Sequence, residues 1–170
     1  MGLSLETESI KANNSEDLAG KYLTFILGAE VYGLRILTVQ EIIGIMKVTH
    51  VPRTPDFVRG VINLRGKVIP VVDLRVQFGM KSCEDSNTTC VIVVQVLWGD
   101  EGSTVGLIVD EVSEVIDIRP NQIEPAPSLT ASDGTAFILG MGKVGDKVVM
   151  LLDTNRVLSR RELDAIATLS

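Results

Sequence analysis

Two segments of this chain occur twice, in the same order. Gly33-Leu34-Arg35-Ile36-Leu37-Thr38-Val39-Gln40-Glu41-Ile42-Ile43 returns as Gly106-Leu107-Ile108-Val109-Asp110-Glu111-Val112-Ser113-Glu114-Val115-Ile116, 73 positions later. The stretch from Gly60 to Asp73 returns as Gly140 to Asp153, 80 positions later. The larger second offset places a short insertion in the second copy. Short β-rich runs can match by chance, but two matches in one order weigh against that. The period exceeds that of solenoid repeats, so the duplication points to two similar small modules. Two modules leave a groove between them, where ligands and partners tend to bind.

A chain of 170 residues has room for one domain or two small ones. Its apolar content of 45% supports a packed core, and the abundance of Val and Ile favours strands. Aromatics are only 4%, too few for a base-stacking platform. The net charge of −6 argues against phosphate backbones as partners. The charge is also uneven. Lys47 to Lys81 holds seven Lys/Arg against two Asp, and Ser82 to Pro125 holds nine acidic residues against Arg119. Such asymmetry either steers charged proteins together or marks two solvated faces of unequal sign. Neither a secretory signal nor a membrane span is readable, so a cytoplasmic chain with no direct membrane insertion is expected. Cys83 and Cys90 then read as reduced, ordinary thiols.

Residues 1–18 read as a flexible polar tail. Tyr22–Leu27 and Val31–Ile36 form an expected hairpin. Thr38–Ile42 reads as one helical turn, with Thr38 as N-cap and Glu41 in the capping-box place, after which Glu41–Met46 reads as strand again. Val61–Leu64 and Lys67–Val72 form a second hairpin with Arg65-Gly66 at its tip. Pro70 demotes its strand to an edge, a barrel rim or a bulge. Asp73 is placed to cap a short helix, and Asp153 to do the same in the second copy. Residues 79–89 read as a polar linker. Cys90–Trp98, Thr104–Val109, Val112–Ile118, Ala136–Met141 and Lys147–Leu152 are the second set of strands, with a loop over Pro120–Gly134. Ser159–Leu169 reads as an amphipathic helix. Five short strands per module, avoiding open edges, suit a small barrel of the SH3 or OB kind.

The residues offer little chemistry. His50 is the single histidine and has no second ligand at zinc spacing. No phosphate loop, nucleophile elbow or dinucleotide fingerprint is present. No catalytic residue, metal or cofactor is therefore expected. Arg65 remains, presenting a five-donor fork from a rigid turn, either for recognition or merely as a polar tip.

Val39-Gln40-Glu41-Ile42, the run from Pro55 to Arg75 and Val105 to Val112 resemble the CheW family of bacterial chemotaxis coupling proteins. The likeness spans about Lys21 to Leu158. It implies an all-β fold: two five-stranded SH3-like β-barrels around a shared core, with short helices and a C-terminal helix. The first barrel is expected at about 19–80, the second at about 88–155, within a domain over 19–158, and the helix at 159–170. It also implies a non-enzymatic adaptor joining the cytoplasmic tips of chemoreceptors to the regulatory domain of the histidine kinase CheA. The receptor-facing groove would use Val39, Glu41, Gly60, Asn63 and Arg65. The kinase-facing surface would lie near Leu107, Val109 and Val112. A small barrel serving another signalling protein or ligand is the alternative.

Overall fold

The computed structural model describes residues 15–80, 84–98, 101–125 and 137–157. After one helical turn (α1, Ser15–Leu18) come β1 (Gly20–Leu27), β2 (Glu30–Arg35), a 3₁₀ turn (Ile36–Thr38) and β3 (Val39–Gly44). Next are β4 (Val58–Leu64), β5 (Lys67–Asp73) and the single-turn helix α2 (Leu74–Gln77). The second half supplies β6 (Cys90–Trp98), β7 (Glu101–Val109), β8 (Glu111–Ile118), a 3₁₀ turn (Pro120–Gln122), β9 (Ile123–Pro125), β10 (Ile138–Val144) and β11 (Lys147–Leu152).

The strands form two sheets, in the orders β8-β1-β2-β11-β10-β9 and β3-β6-β7-β5-β4. The fold is all-β, as expected, but neither sheet closes into a barrel. Chain continuity brings the edges round instead. In the larger sheet the two edge strands, β8 and β9, are joined by the 3₁₀ turn. In the smaller sheet the chain beyond β3 reaches the far edge, where Thr49 and Val61 exchange backbone hydrogen bonds of 2.8 and 2.9 Å.

Strand pairing also departs from the expected division at residues 80–88. Each sheet takes in the hairpin of the other half. The β1–β2 hairpin lies between β8 and β11, and the β6–β7 hairpin lies between β3 and β5. The halves are therefore interleaved, and a hairpin alone would leave both its edges unpaired.

The duplication survives in the register. Gly33 on β2 pairs in parallel with Leu151, and Gly106 on β7 pairs in parallel with Val71. These are the same positions under offsets of 73 and 80. The bulge between Val58 and Gly60 recurs between Ile138 and Gly140. The Asp73 N–H donates to Phe57 O, and the Asp153 N–H to Phe137 O. Asp73 caps α2 by accepting from the Arg75 N–H at 3.0 Å, and Asp153 accepts from the Asn155 N–H at 2.9 Å. The second cap opens a turn rather than a helix.

This architecture explains the uninterrupted apolar run of β6, which is covered on both faces. Val91 and Val93 point into a core of the smaller sheet with Ile62, Ile69, Val71 and Ile108. Ile92, Val94 and Val96 point the other way, into a shared core with Phe25, Leu34 and Leu152. A third core, inside the larger sheet, gathers Leu18, Tyr22, Ile118 and Leu151.

Several expectations change. Leu18 is buried, and the Tyr22 hydroxyl donates to its carbonyl, so the end of the expected tail is anchored. Thr38 does not cap a helix: its hydroxyl donates back to Arg35 O, and the strand expected from Glu41 begins already at Val39, because β3 pairs with β6. Pro70 is on an internal strand. It precedes Val71–Asp73, the residues paired with β7, so its missing N–H falls outside that ladder. The expected loop after Pro120 includes β9. The expected helix Ser159–Leu169 and Cys83 lie outside the described residues.

Candidate functional site

The tip of the β4–β5 hairpin is built for a side chain to project. Arg65 and Gly66 both have positive φ, +54° and +84°, the requirement of a tight two-residue hairpin turn. Asn63 Oδ1 accepts from the Gly66 N–H at 2.8 Å and holds the turn in place. Arg65, 67% exposed at its side chain, reaches Glu41 on β3 at the opposite edge of the same sheet. Its Nη1 donates to Glu41 Oε1 at 3.1 Å, and its Nη2 donates to Oε2. The planar fork thus meets the carboxylate with two bonds. The pair spans the curled sheet from one edge to the other.

Gly60 has a structural reason to lack a side chain. Its φ is +147°, and a Cβ there would sit 2.1 Å from the Thr49 carbonyl oxygen. That carbonyl accepts from the Val61 N–H. Gly60 therefore lets the chain at Thr49 pair against the edge of β4. Val39 opens β3 and is half-buried, packed against the shared core. The structure brings Glu41, Asn63 and Arg65 together, while Gly60 lies against Thr49 farther back on β4 and Val39 opens β3.

The second set of expected contact residues is different. Leu107 is 2% exposed and Val109 0%, both pointing into the shared core from β7, an internal strand. Val112 is half-buried against the same core. The side chains of Leu107 and Val109 cannot meet a partner, whereas Val112 keeps part of its surface exposed. Apolar alternation on a strand covered on both faces does not reveal an outer surface.

An ionic network was not visible in the sequence. Arg75 is 2% exposed and spends every N–H donor. Nε and Nη2 donate to Asp73 at 2.9 and 3.0 Å, and Nη2 also donates to Asp85 at 2.8 Å. Nη1 donates to Glu84 O and to Asp110 at 3.0 and 3.1 Å. Arg59 joins by donating to Asp73 and Asp85. Hydrogen bonds from Arg59, then from Arg75, hold the Asp85 carboxyl below its ordinary pKa, against the opposing effect of burial. Asp73 raises the affinity of Arg75 for its proton, and Asp85 does the same for Arg59. The network fastens the segment before β6 and the β7–β8 corner to the end of β5. Asp85 was hidden in what reads as a linker. The Asp73-x-Arg75 spacing was the available signal.

Among the described residues no group of His, Cys, Asp and Glu has the arrangement to hold a metal ion. None of their helices is long and apolar enough to cross a membrane.

Comparison with known proteins adds the family. The CheW-like domain matches residues 21–162, most of the chain. The chain belongs to the CheW family. A chemotaxis protein CheW of Klebsiella aerogenes is 40% identical over 148 residues, 87% of each chain. One of Helicobacter pylori is 34% identical, over 88% of this chain and 87% of its own. The crystal structure of the scaffolding protein TtCheW from Thermoanaerobacter tengcongensis superposes with a TM-score of 0.75 at 40% identity, covering 85% of this chain and 95% of that one. The β4–β5 hairpin, Glu41 and the Arg75 network all lie within the span of the CheW-like domain.

Proposed function

We propose that this chain is a non-enzymatic chemotaxis adaptor. It couples the cytoplasmic tips of chemoreceptors to the regulatory domain of the histidine kinase CheA, and it works in the cytoplasm. The observation that carries the receptor half of this reading is Arg65, held by the Asn63 turn and the Glu41 carboxylate while mostly exposed. A fixed, exposed guanidinium loses little conformational freedom on binding and makes an interface hot spot. Val39, Glu41, Gly60, Asn63 and Arg65 form the receptor-facing surface, with Gly60 acting through the backbone. The kinase-facing surface lies on the second half near Val112, on side chains other than the buried Leu107 and Val109.

The test is a pull-down in which the immobilised chain is offered a receptor-tip fragment and the CheA regulatory domain, separately and together. Retention of each alone, and of both at once, is the expected result. Retention of neither ends the adaptor reading. Mutual exclusion ends the two-surface reading.

A further inference from the structure

The two sheets repeat one strand plan. The order β3-β6-β7-β5-β4 corresponds strand for strand to β8-β1-β2-β11-β10, and Thr49 lies against β4 where β9 lies against β10. Glu41 on β3 therefore has Glu114 on β8 as its counterpart, 73 positions later. Each glutamate stands two positions before an isoleucine that packs on the core of its own sheet, Ile43 in one and Ile116 in the other. Alternation along the strand puts both glutamates on that inner face. The hairpin tip across the face differs. Arg65, with φ +54°, stands there in the first half, and Gly145, with φ +61°, in the second. The backbone of the turn is kept and the guanidinium is gone.

Glu114 is fixed in place but has no partner for its charge. Its N–H donates to the Thr24 hydroxyl at 3.1 Å, and that hydroxyl donates to Glu114 O at 2.6 Å. The residue is exposed, and among the described residues its carboxylate has neither an ion pair nor a hydrogen bond. The cations of the same sheet are placed otherwise. Lys143 pairs with Glu124, Arg35 donates to Asp17 O, and Lys21 lies opposite Asp117 in the β1–β8 register. Lys147 is the counterpart of Lys67, and in the first half it is Arg65, not Lys67, that pairs with Glu41. Asp146 stands at the second tip in place of Gly66 and adds negative charge. The surrounding stretch from Ser82 to Pro125, with nine acidic residues against Arg119, suits a cationic occupant.

We propose that Glu114 receives a cationic side chain from the regulatory domain of the kinase, completing between two proteins the ion pair that Arg65 and Glu41 make within one. The inference rests on the kinase reading above and extends that surface along β8, two residues beyond Val112. The first half displays what such a carboxylate holds, a guanidinium meeting both of its oxygens. An arginine of the partner is therefore the side chain that fits. Because the Glu114 backbone is already fixed, little ordering is lost when the pair forms.

The test measures affinity for the CheA regulatory domain at low and high salt, beside thermal unfolding, for the parent and for Glu114→Gln, Gly145→Arg and Glu30→Gln. Glu30, exposed at the start of β2, controls for the loss of one negative charge. Glu114→Gln is expected to weaken binding about tenfold, and the difference should shrink at high salt. Gly145→Arg supplies the missing guanidinium from within, at a backbone angle close to that of Arg65. It should weaken binding at least as much, with an unchanged or higher melting temperature. Should it melt early, Glu114→Gln decides alone. Glu30→Gln should bind like the parent. If the parent binds and Glu114→Gln binds equally well, the ion pair is wrong and the kinase reading stands, whatever Gly145→Arg does. Equal weakening by Glu30→Gln would also overturn the pair, since net charge would then suffice. A parent that does not bind the domain would end the kinase reading and the inference with it.

Discussion

Position 75 in the first half and position 155 in the second are equivalent under the 80-residue offset, yet one holds an arginine and the other an asparagine. Both follow an aspartate whose carboxylate accepts from their backbone N–H. Arg75 then gathers Asp73, Asp85 and Asp110 around its buried guanidinium, whereas Asn155 makes a single bond to a strand backbone. The hairpin tips diverge in the same way. Arg65-Gly66 carries a clamped guanidinium, and Gly145-Asp146 has its glycine first and no counterpart to Arg65. The halves share the features that set backbone geometry and differ in the charges placed upon it. Duplication supplies a frame, and the unequal charges distinguish its two halves.

The largest expected effect contrasts Gly60 with Gly140. Both approach a carbonyl across a strand edge, at 2.1 and 2.9 Å for an added Cβ, but Gly60 alone of the two has positive φ. Gly60→Ala is expected to cost about 4 kcal/mol or more, and Gly140→Ala about half as much. Urea unfolding of the two variants measures the difference. Equal losses would mean that the strand-edge approach, not the backbone angle, sets the cost.

Next is the position that separates the halves most. Arg75→Ala removes the buried one of the two guanidiniums on Asp73, leaving Arg59 at 2.8 Å, and should cost about 3 kcal/mol. Asn155→Ala removes one exposed bond and should cost about 1 kcal/mol or less. Comparable losses in chemical denaturation would dissolve the contrast.

A smaller effect follows from Asp85. Its pKa is lower folded than unfolded, so its contribution is fully present above the unfolded value, about 3.9. That contribution is lost as pH falls through the lower folded value. Stability should therefore decline below about pH 4, and Asp85→Asn should flatten part of that decline. An unchanged acid limb in the variant would remove Asp85 from the network's energetics.

The smallest effect concerns Cys90, whose thiol burial pushes to a higher pKa. Mass spectrometry after treatment with a thiol reagent at neutral pH should find Cys90 unmodified in the folded chain and modified once it is unfolded.

The repeat made the equivalence of Gly33 and Gly106 and the paired aspartate caps legible in the sequence, whereas the matching bulges were not. Arg65-Gly66 was also readable as a turn, because few residue pairs fill two positive-φ positions. The hairpin exchange was not readable. It depends on pairings such as Gly20 with Ile118, separated by most of the chain, and no local pattern reports a partner that distant. The Arg75 network failed to show for the same reason, with Asp110 lying 35 residues away. Glu41 misled through local chemistry. Thr38-x-x-Glu41 has the form of a capping box, but pairing with β6 overrides that preference. Leu107 and Val109 misled because a strand covered on both faces offers no polar side to mark the outside.

The central claim is that the first hairpin tip, and not its duplicate, recognises the receptor. Calorimetric titration of a receptor-tip fragment into the parent, Arg65→Ala and Lys143→Ala tests it most directly, with thermal unfolding run beside it. Lys143 is the counterpart of Asn63 on the β10–β11 hairpin, where it pairs with Glu124 on the surface. Arg65→Ala should lose about 2 kcal/mol of binding, roughly thirtyfold, while costing no more than about 1 kcal/mol of stability. Lys143→Ala should bind as the parent does. Unchanged affinity in Arg65→Ala, or equal loss in Lys143→Ala, would contradict the account.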